Sequence, residues 1–331
     1  MSNTEPASTR VPSPESRAPT LAFVFPGQGS QSVGMLAELA ATHPIVRDTF
    51  AEASDGAGVD LWVLSQNGPE DELNRTEFTQ PALLAAGIAV WRAWQAAGGA
   101  QPSMFAGHSL GEYSALVAAG ALSLVDAAKL VRERGRLMQA AVPAGRGAMA
   151  AVIGAEEALI IEVCAEVSSG EDAIVVPANY NSPGQIVIGG DAIAVDTALA
   201  VLAGRGVRKT VRLSVSVPSH TPLMFEAAQR LGEVMAALLW SLPTLPVVQN
   251  ADAAAHDSID DIRDALMRQL YQPVLWADCV RTLASAGITR IAECGPGKVL
   301  TGLIKRIDKT LDARALGMPA DFDAALQEFK G

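Results

Sequence analysis

Cysteine is scarce: Cys164, Cys279 and Cys294 are the three in 331 residues. So few, so scattered, they exclude a disulfide framework or a zinc site and point to buried thiols in a reducing compartment. Aromatic residues reach only 5% and charged residues 18%, against 49% hydrophobic. No apolar run approaches the roughly 20 residues of a membrane-spanning helix, so no membrane role is expected. Positive charge is short as well. Twenty-five Lys and Arg face 36 Asp and Glu, a net charge of −11, which argues against nucleic acid as a partner because phosphates are bound by cations. Residues 1–18 are rich in Ser, Thr, Pro and Glu and hold no apolar stretch. They exclude a secretory leader and predict a disordered tail, so a cytoplasmic location is expected.

What is present suits one large α/β domain, or such a domain with a smaller insert. Residues 21–25 (LAFVF) read as a buried strand ending in a Gly-rich turn. Helical pattern covers 80–97, a short strand 104–106, and helical pattern again 111 to about 142. Residues 211–217 alternate like a strand. Thr221 and Pro222 read as an N-cap and first helical residue of a helix reaching about 239. Residues 245–249 and 288–293 are further strands. Strands separated by helices predict a mostly parallel sheet covered on both faces. The middle differs: strand 148–153, helix 156–167, strands 173–179 and 185–188 around Asn181-Ser182-Pro183-Gly184, helix 193–202 and strand 207–213. That β-α-β-β-α-β order is ferredoxin-like. The expected division is a tail over 1–18, a catalytic core of 19–146 and 214–331, and an inserted subdomain of 147–213.

The sharpest chemical signal is Gly107-His108-Ser109-Leu110-Gly111. G-x-S-x-G between a strand and a helix is a nucleophile elbow, with the serine exposed at the strand's carboxyl end. The next N–H, from Leu110, sits at a helix N-terminus, where a developing oxyanion is stabilised. The bland alternative is a Gly-rich turn with an incidental serine, but the predicted flanking elements are the ones the elbow requires. A serine nucleophile needs a base, and there are four histidines. His108 adjoins the serine on a sharp turn and should point away from it. His43 precedes Pro44, and His256 lies in an Ala-rich loop. His220 follows the predicted strand 211–217 in a Pro-Ser-His turn, at a sheet edge where catalytic groups gather; the alternative for it is a capping or packing role. No acidic residue presents itself as a third triad member, so a carbonyl is expected to orient the histidine.

Other signals are weaker singly. Gln28, in the turn Phe25-Pro26-Gly27-Gln28-Gly29-Ser30-Gln31, lies at the same sheet edge and could share an oxyanion hole; the spacing is wrong for a nucleotide loop. Arg134 lies in a helix with Arg132 and Arg136, and periodicity does not separate a carboxylate-binding fork from a solvated face. Gly295-Pro296-Gly297-Lys298 reads as a strand-to-helix turn.

Together FVFPGQGSQ, TQPALL, AGHSLGEYSALVAAGAL, NYNSPGQIVI, SVPSH, RQLYQPVLW and GPGKVLTGLIKR resemble, in family order from residue 21 to about 308, the malonyl-CoA:acyl-carrier-protein transacylases of type II fatty acid synthesis. The resemblance implies a hydrolase-like core with a ferredoxin-like insert. By position it implies Ser109 as the acylated nucleophile and His220 as its base. Gln28 and the Leu110 N–H match the oxyanion hole, Arg134 the residue that binds the malonyl carboxylate, and Gln269 the residue whose carbonyl orients the histidine. It further implies malonyl-CoA as substrate, holo acyl carrier protein as transient partner, no cofactor or metal of the enzyme's own, and a monomer supplying fatty acid elongation. An acidic carrier meeting an acidic chain would need a local basic patch, for which Arg205, Arg208, Lys209, Lys298, Lys305, Arg306 and Lys309 are candidates. Two other classes compete. An esterase would use the same elbow but needs a triad acid, and a non-catalytic acyl-CoA or carrier-binding module would not need Ser109 and His220 together.

Overall fold

A computed structural model describes residues 20–143, 145–168, 173–215 and 217–329. The predicted tail at 1–18 lies outside the described residues. The strands are β1 (Thr20–Phe25), β2 (Met104–Gly107), β3 (Gly147–Ile153), β4 (Val175–Ser182), β5 (Gln185–Asp191), β6 (Lys209–Arg212), β7 (Val247–Val248), β8 (Ile288–Glu293) and β9 (Asp312–Ala315). The helices begin with α1 (Ala37–Thr42), α2 (Ile45–Ala57), α3 (Leu61–Asn67), α4 (Glu70–Leu73), α5 (Thr76–Ala96), α6 (Gly111–Ala118) and α7 (Leu124–Ala141). They continue with α8 (Glu157–Val167), α9 (Ala192–Gly204), α10 (Phe225–Ala236), α11 (Ile259–Tyr271), α12 (Trp276–Ser285), α13 (Val299–Ile307) and α14 (Pro319–Glu328).

The large sheet has the order β7-β2-β1-β8-β9 with every neighbour parallel. β1 is buried on both faces, which is why it reads as an unbroken apolar run. Phe23 and Phe25 pack in the cluster that holds Trp91 and Trp94 of α5 and residues of α6 and α7. Ala22 and Val24 face the other way, against Trp276 and Val280 of α12 and Leu300 and Ile304 of α13. The second sheet is antiparallel, β4-β5-β3-β6, the strand order expected of a ferredoxin-like unit, with α8 and α9 on its apolar face.

Three expectations are corrected. The helix read over 111–142 is two helices. Gly120 is left-handed at φ 77°, and the Ser123 side chain accepts the Asp126 N–H at 3.0 Å to start α7. The freed Ala119 carbonyl is taken by Thr244 instead. Second, the alternation over 211–217 is not a strand of the large sheet. β6 ends at Arg212 and pairs with β3, and Leu213, Val215 and Val217 line a cavity as irregular chain; Ser216 lies outside the described residues. Period-two apolar residues arise from any extended segment with one wet and one dry side. Third, Thr221 does not cap a helix with its side chain, which donates to the Pro218 carbonyl at 2.7 Å. One 3-10 turn, Pro222–Met224, precedes α10, which stops at Ala236.

Candidate active site

The elbow is built from close approaches. A Cβ on Gly107 would lie 1.9 Å from the Gly111 carbonyl carbon, and one on Gly111 would lie 1.9 Å from the Phe25 oxygen. Neither glycine has positive φ. The left-handed residue is Ser109 itself, at φ 52°, so both glycines are required for space rather than for their own torsions. The turn throws the Ser109 side chain into a cavity of about 450 Å³ between the two sheets, lined by Gln28, Leu110, Arg134, Met149, Leu213 and His220 among others.

His220 is also left-handed, φ 63°, and buried. Its Nε2 is 2.8 Å from Ser109 Oγ, and its Nδ1 is 2.6 Å from the Gln269 main-chain oxygen. A carbonyl only accepts, so Nδ1 carries the proton and Nε2 is free to accept from the serine hydroxyl. Burial first, and then the positive charge of Arg134, push the imidazole down to about 3, so the ring is neutral in the resting protein. The backbone of His220 is pinned too, its N–H donating to Leu270 O at 3.0 Å. A loop and α11 therefore hold the histidine, not a strand of the large sheet.

Arg134 of α7 is buried, 1% exposed. It donates to Gln80 Oε1 at 2.9 Å, Gln269 Oε1 at 3.0 Å and Ser109 Oγ at 3.3 Å, and lies over the Tyr113 ring. Among the described residues no carboxylate pairs with it. Burial lowers its pKa. A buried guanidinium held by neutral oxygens at a cavity wall is a site that favours an anion. Arg136, by contrast, is exposed and paired with Glu133, and Arg132 donates to the Ala57 carbonyl.

The structure thus joins Ser109, His220, Arg134 and Gln269 in one hydrogen-bonded cluster. Leu110 and the exposed Gln28 line the same cavity. Of the other histidines, His108 lines the same cavity but turns its Nε2 to Asn181 Oδ1 of β4 at 2.7 Å, while His43 packs on Phe322 and His256 pairs with Asp252. Sequence reasoning missed Gln80, Glu112 and Asn250. Gln80 and Glu112 lie in motif segments, TQPALL and GHSLGE, without a chemical signature of their own, and Asn250 only follows a two-residue strand. After the GPGK turn the Glu293 carboxylate takes the Leu300 and Thr301 N–H groups at 3.0 and 2.7 Å, so those two donors at the start of α13 are already satisfied.

A serine hydroxyl with a neutral imidazole at hydrogen-bond distance can attack an acyl carbonyl, and a cation beside it is suited to an acyl group bearing a carboxylate. The comparisons agree with that chemistry. The family described as the acyl transferase domain matches residues 22–316. The chain is 54% identical over 307 residues to the malonyl CoA-acyl carrier protein transacylase of Salmonella typhimurium, covering 93% of this chain and 99% of that one. The Escherichia coli K12 protein of the same name is 54% identical over 306 residues, with 92% and 98% covered. A crystal structure of malonyl-CoA:acyl carrier protein transacylase from Xanthomonas oryzae is 70% identical, with TM-score 0.92 and coverage of 94% and 98%. A malonyl-transacylase in complex with a type II PKS acyl-carrier protein is 51% identical, with TM-score 0.91 and coverage of 93% and 99%. With an anion-seeking arginine beside a serine-histidine pair and these relatives along nearly its whole length, the chain belongs to the acyl transferase domain family, as a malonyl CoA-acyl carrier protein transacylase.

Proposed function

We propose that this chain moves the malonyl group from malonyl-CoA to the phosphopantetheine thiol of acyl carrier protein in two half-reactions through a malonyl ester on Ser109. The Ser109 Oγ–H gives its proton to His220 Nε2 as Oγ bonds to the thioester carbonyl carbon. The oxyanion is met by the Leu110 N–H and by Gln28. Collapse breaks the C–S bond, and the coenzyme A thiolate leaves with the proton from Nε2. In the second half the carrier's thiol gives its proton to Nε2, its sulfur adds to the ester carbonyl, and collapse returns the proton to Ser109 Oγ. Gln269 O holds the imidazolium through Nδ1–H in both halves. Arg134 binds the malonyl carboxylate, exchanging neutral amide acceptors for a charged one. All reacting groups are supplied by side chains, main chain, the malonyl-CoA thioester and the carrier's thiol, with no cofactor.

We assign the catalytic steps to a core of residues 19–146 and 214–331, and the cavity's far wall to an inserted subdomain of 147–213. In support, the antiparallel sheet runs from Gly147 to Arg212 and lends Met149 and Asn179 to the cavity. The enzyme acts as a cytoplasmic monomer that docks the carrier transiently and feeds fatty acid elongation. Of the basic patch considered for docking, Arg205 is already engaged by Glu162 and Glu166, while Lys298, Lys305 and Lys309 are exposed on and around α13.

The observation that carries this reading is the 2.8 Å Ser109–His220 contact beside a buried arginine without a carboxylate. The test is the intact mass of the protein after mixing with malonyl-CoA, with and without holo acyl carrier protein. A malonyl adduct absent from Ser109→Ala and discharged onto the carrier is the expected result. No adduct, or one lost only to water, overturns it in favour of a binding module or an esterase.

A further inference from the structure

Behind the serine lies a buried carboxylate that the reaction does not use. Glu112, on α6, is 0% exposed, and among the described residues no cation stands at ion-pair distance from it. Its Oε1 accepts from Gln249 Nε2 at 2.9 Å, and its Oε2 from the Asn250 main-chain N–H at 2.7 Å. Burial pushes its pKa up to about 7, so the fold pays a desolvation cost to keep the group there. Asn250 lies two residues past the end of β7, whose pairing with β2 (Phe105 with Val247, Ala106 with Val248) brings it level with the elbow. Its side chain spans the turn: Nδ2 donates to Gly107 O at 2.7 Å, and Oδ1 accepts from the Ser109 N–H at 2.7 Å.

Ser109 is then gripped from both sides, for its carbonyl accepts from Gln269 Nε2 at 3.0 Å. A left-handed serine is strained and persists only where its surroundings over-determine it. Here the surroundings are two side-chain amides. With the Ser109 N–H committed to Asn250, the next N–H in the turn is that of Leu110, a residue that lines the cavity. We propose that Glu112 and Asn250 are positioning residues that hold Ser109 in its left-handed conformation, so that Oγ meets His220 and the Leu110 N–H faces the reacting oxygen. The proposal rests on the reading of Ser109 as the malonylated nucleophile. Its consequence is kinetic: the pair sets the rate of acylation and leaves malonyl-CoA binding nearly unchanged, because neither residue lines the cavity.

The test is single-turnover malonylation, followed as adduct mass in quenched samples over a range of malonyl-CoA concentrations, with a melting curve beside each variant. Wild type must first form the adduct; its failure to do so would sink the nucleophile reading and not this one. Asn250→Ala is expected to slow adduct formation about a hundredfold, the scale of a misplacement near 1 Å, with half-saturation changed by no more than about twofold. Glu112→Gln keeps an acceptor for the Asn250 N–H and is expected to slow it by about tenfold, Glu112→Ala by as much as Asn250→Ala. A folded Asn250→Ala protein that acylates at the wild-type rate overturns the proposal, as does a slowing traced wholly to weaker saturation. Should Asn250→Ala not fold, Glu112→Gln decides: a slowed rate at unchanged saturation supports the pair, and a wild-type rate refutes it.

Discussion

At the scale of single residues, charge governs the site. His220 sits in the dry interior next to a guanidinium, and both effects favour its neutral form. Its folded pKa, about 3, lies below the ordinary 6.5, so the unfolded chain binds more protons between those values and stability falls as pH drops through that window. The same shift has a kinetic sign. The acid limb of kcat/KM for malonyl-CoA reports the base of the free enzyme, and its midpoint is expected below 6.5; a midpoint at or above that value would mean a different base. Arg134→Ala should remove malonyl transfer by about a hundredfold or more and relax the preference for malonyl over acetyl, since the substrate carboxylate would then be buried without a partner. Parallel assays with malonyl-CoA and acetyl-CoA check this, and equal selectivity in mutant and wild type would refute the role. Ser109 and His220 were legible from the chain because the elbow is a local motif and histidines are few. Asn250 was not, because its work consists of hydrogen bonds to residues more than a hundred positions away.

Elements place these residues through their spacing. α7 carries Arg134 and packs along α5, which carries Gln80, with its backbone close against the start of α5 at Gly135: a Cβ there would lie 2.6 Å from the Thr76 oxygen. Gly135→Ala is therefore expected to cost about 1–3 kcal/mol, because overpacked backbone cannot simply repack. It should also lower the malonylation rate by moving Arg134. Thermal unfolding with single-turnover kinetics reads both, and an unchanged melting temperature would show that the helices part without strain. Strand identity was readable where strands are buried on both faces, as in β1, but the alternation over 211–217 misled. Sheet membership depends on which neighbour offers free N–H and C=O groups, and β2 is paired on that edge by β7 instead.

On the scale of the whole molecule, two sheets close one cavity, and the proposed function asks a chain of net charge −11 to receive an acidic carrier protein. Attraction then has to come from a local patch such as the exposed lysines of α13, so kcat/KM for carrier protein is expected to fall as salt rises. Stopped assays across ionic strength test it; a rate constant indifferent to salt would remove the patch from the account. The sequence by itself determined the α/β class, the parallel large sheet, the β-α-β-β-α-β order of the small one, and Ser109 with its family of motifs, because each is written in neighbouring residues. Only the tertiary structure decided that Arg134 faces the serine while Arg136 faces water, that Gln269 meets both His220 and Arg134, and that Glu112 and Asn250 back the elbow. Those are contacts between distant segments, made where α6, α7, α11 and the chain after β7 bring their side chains to the elbow, and no local periodicity encodes them.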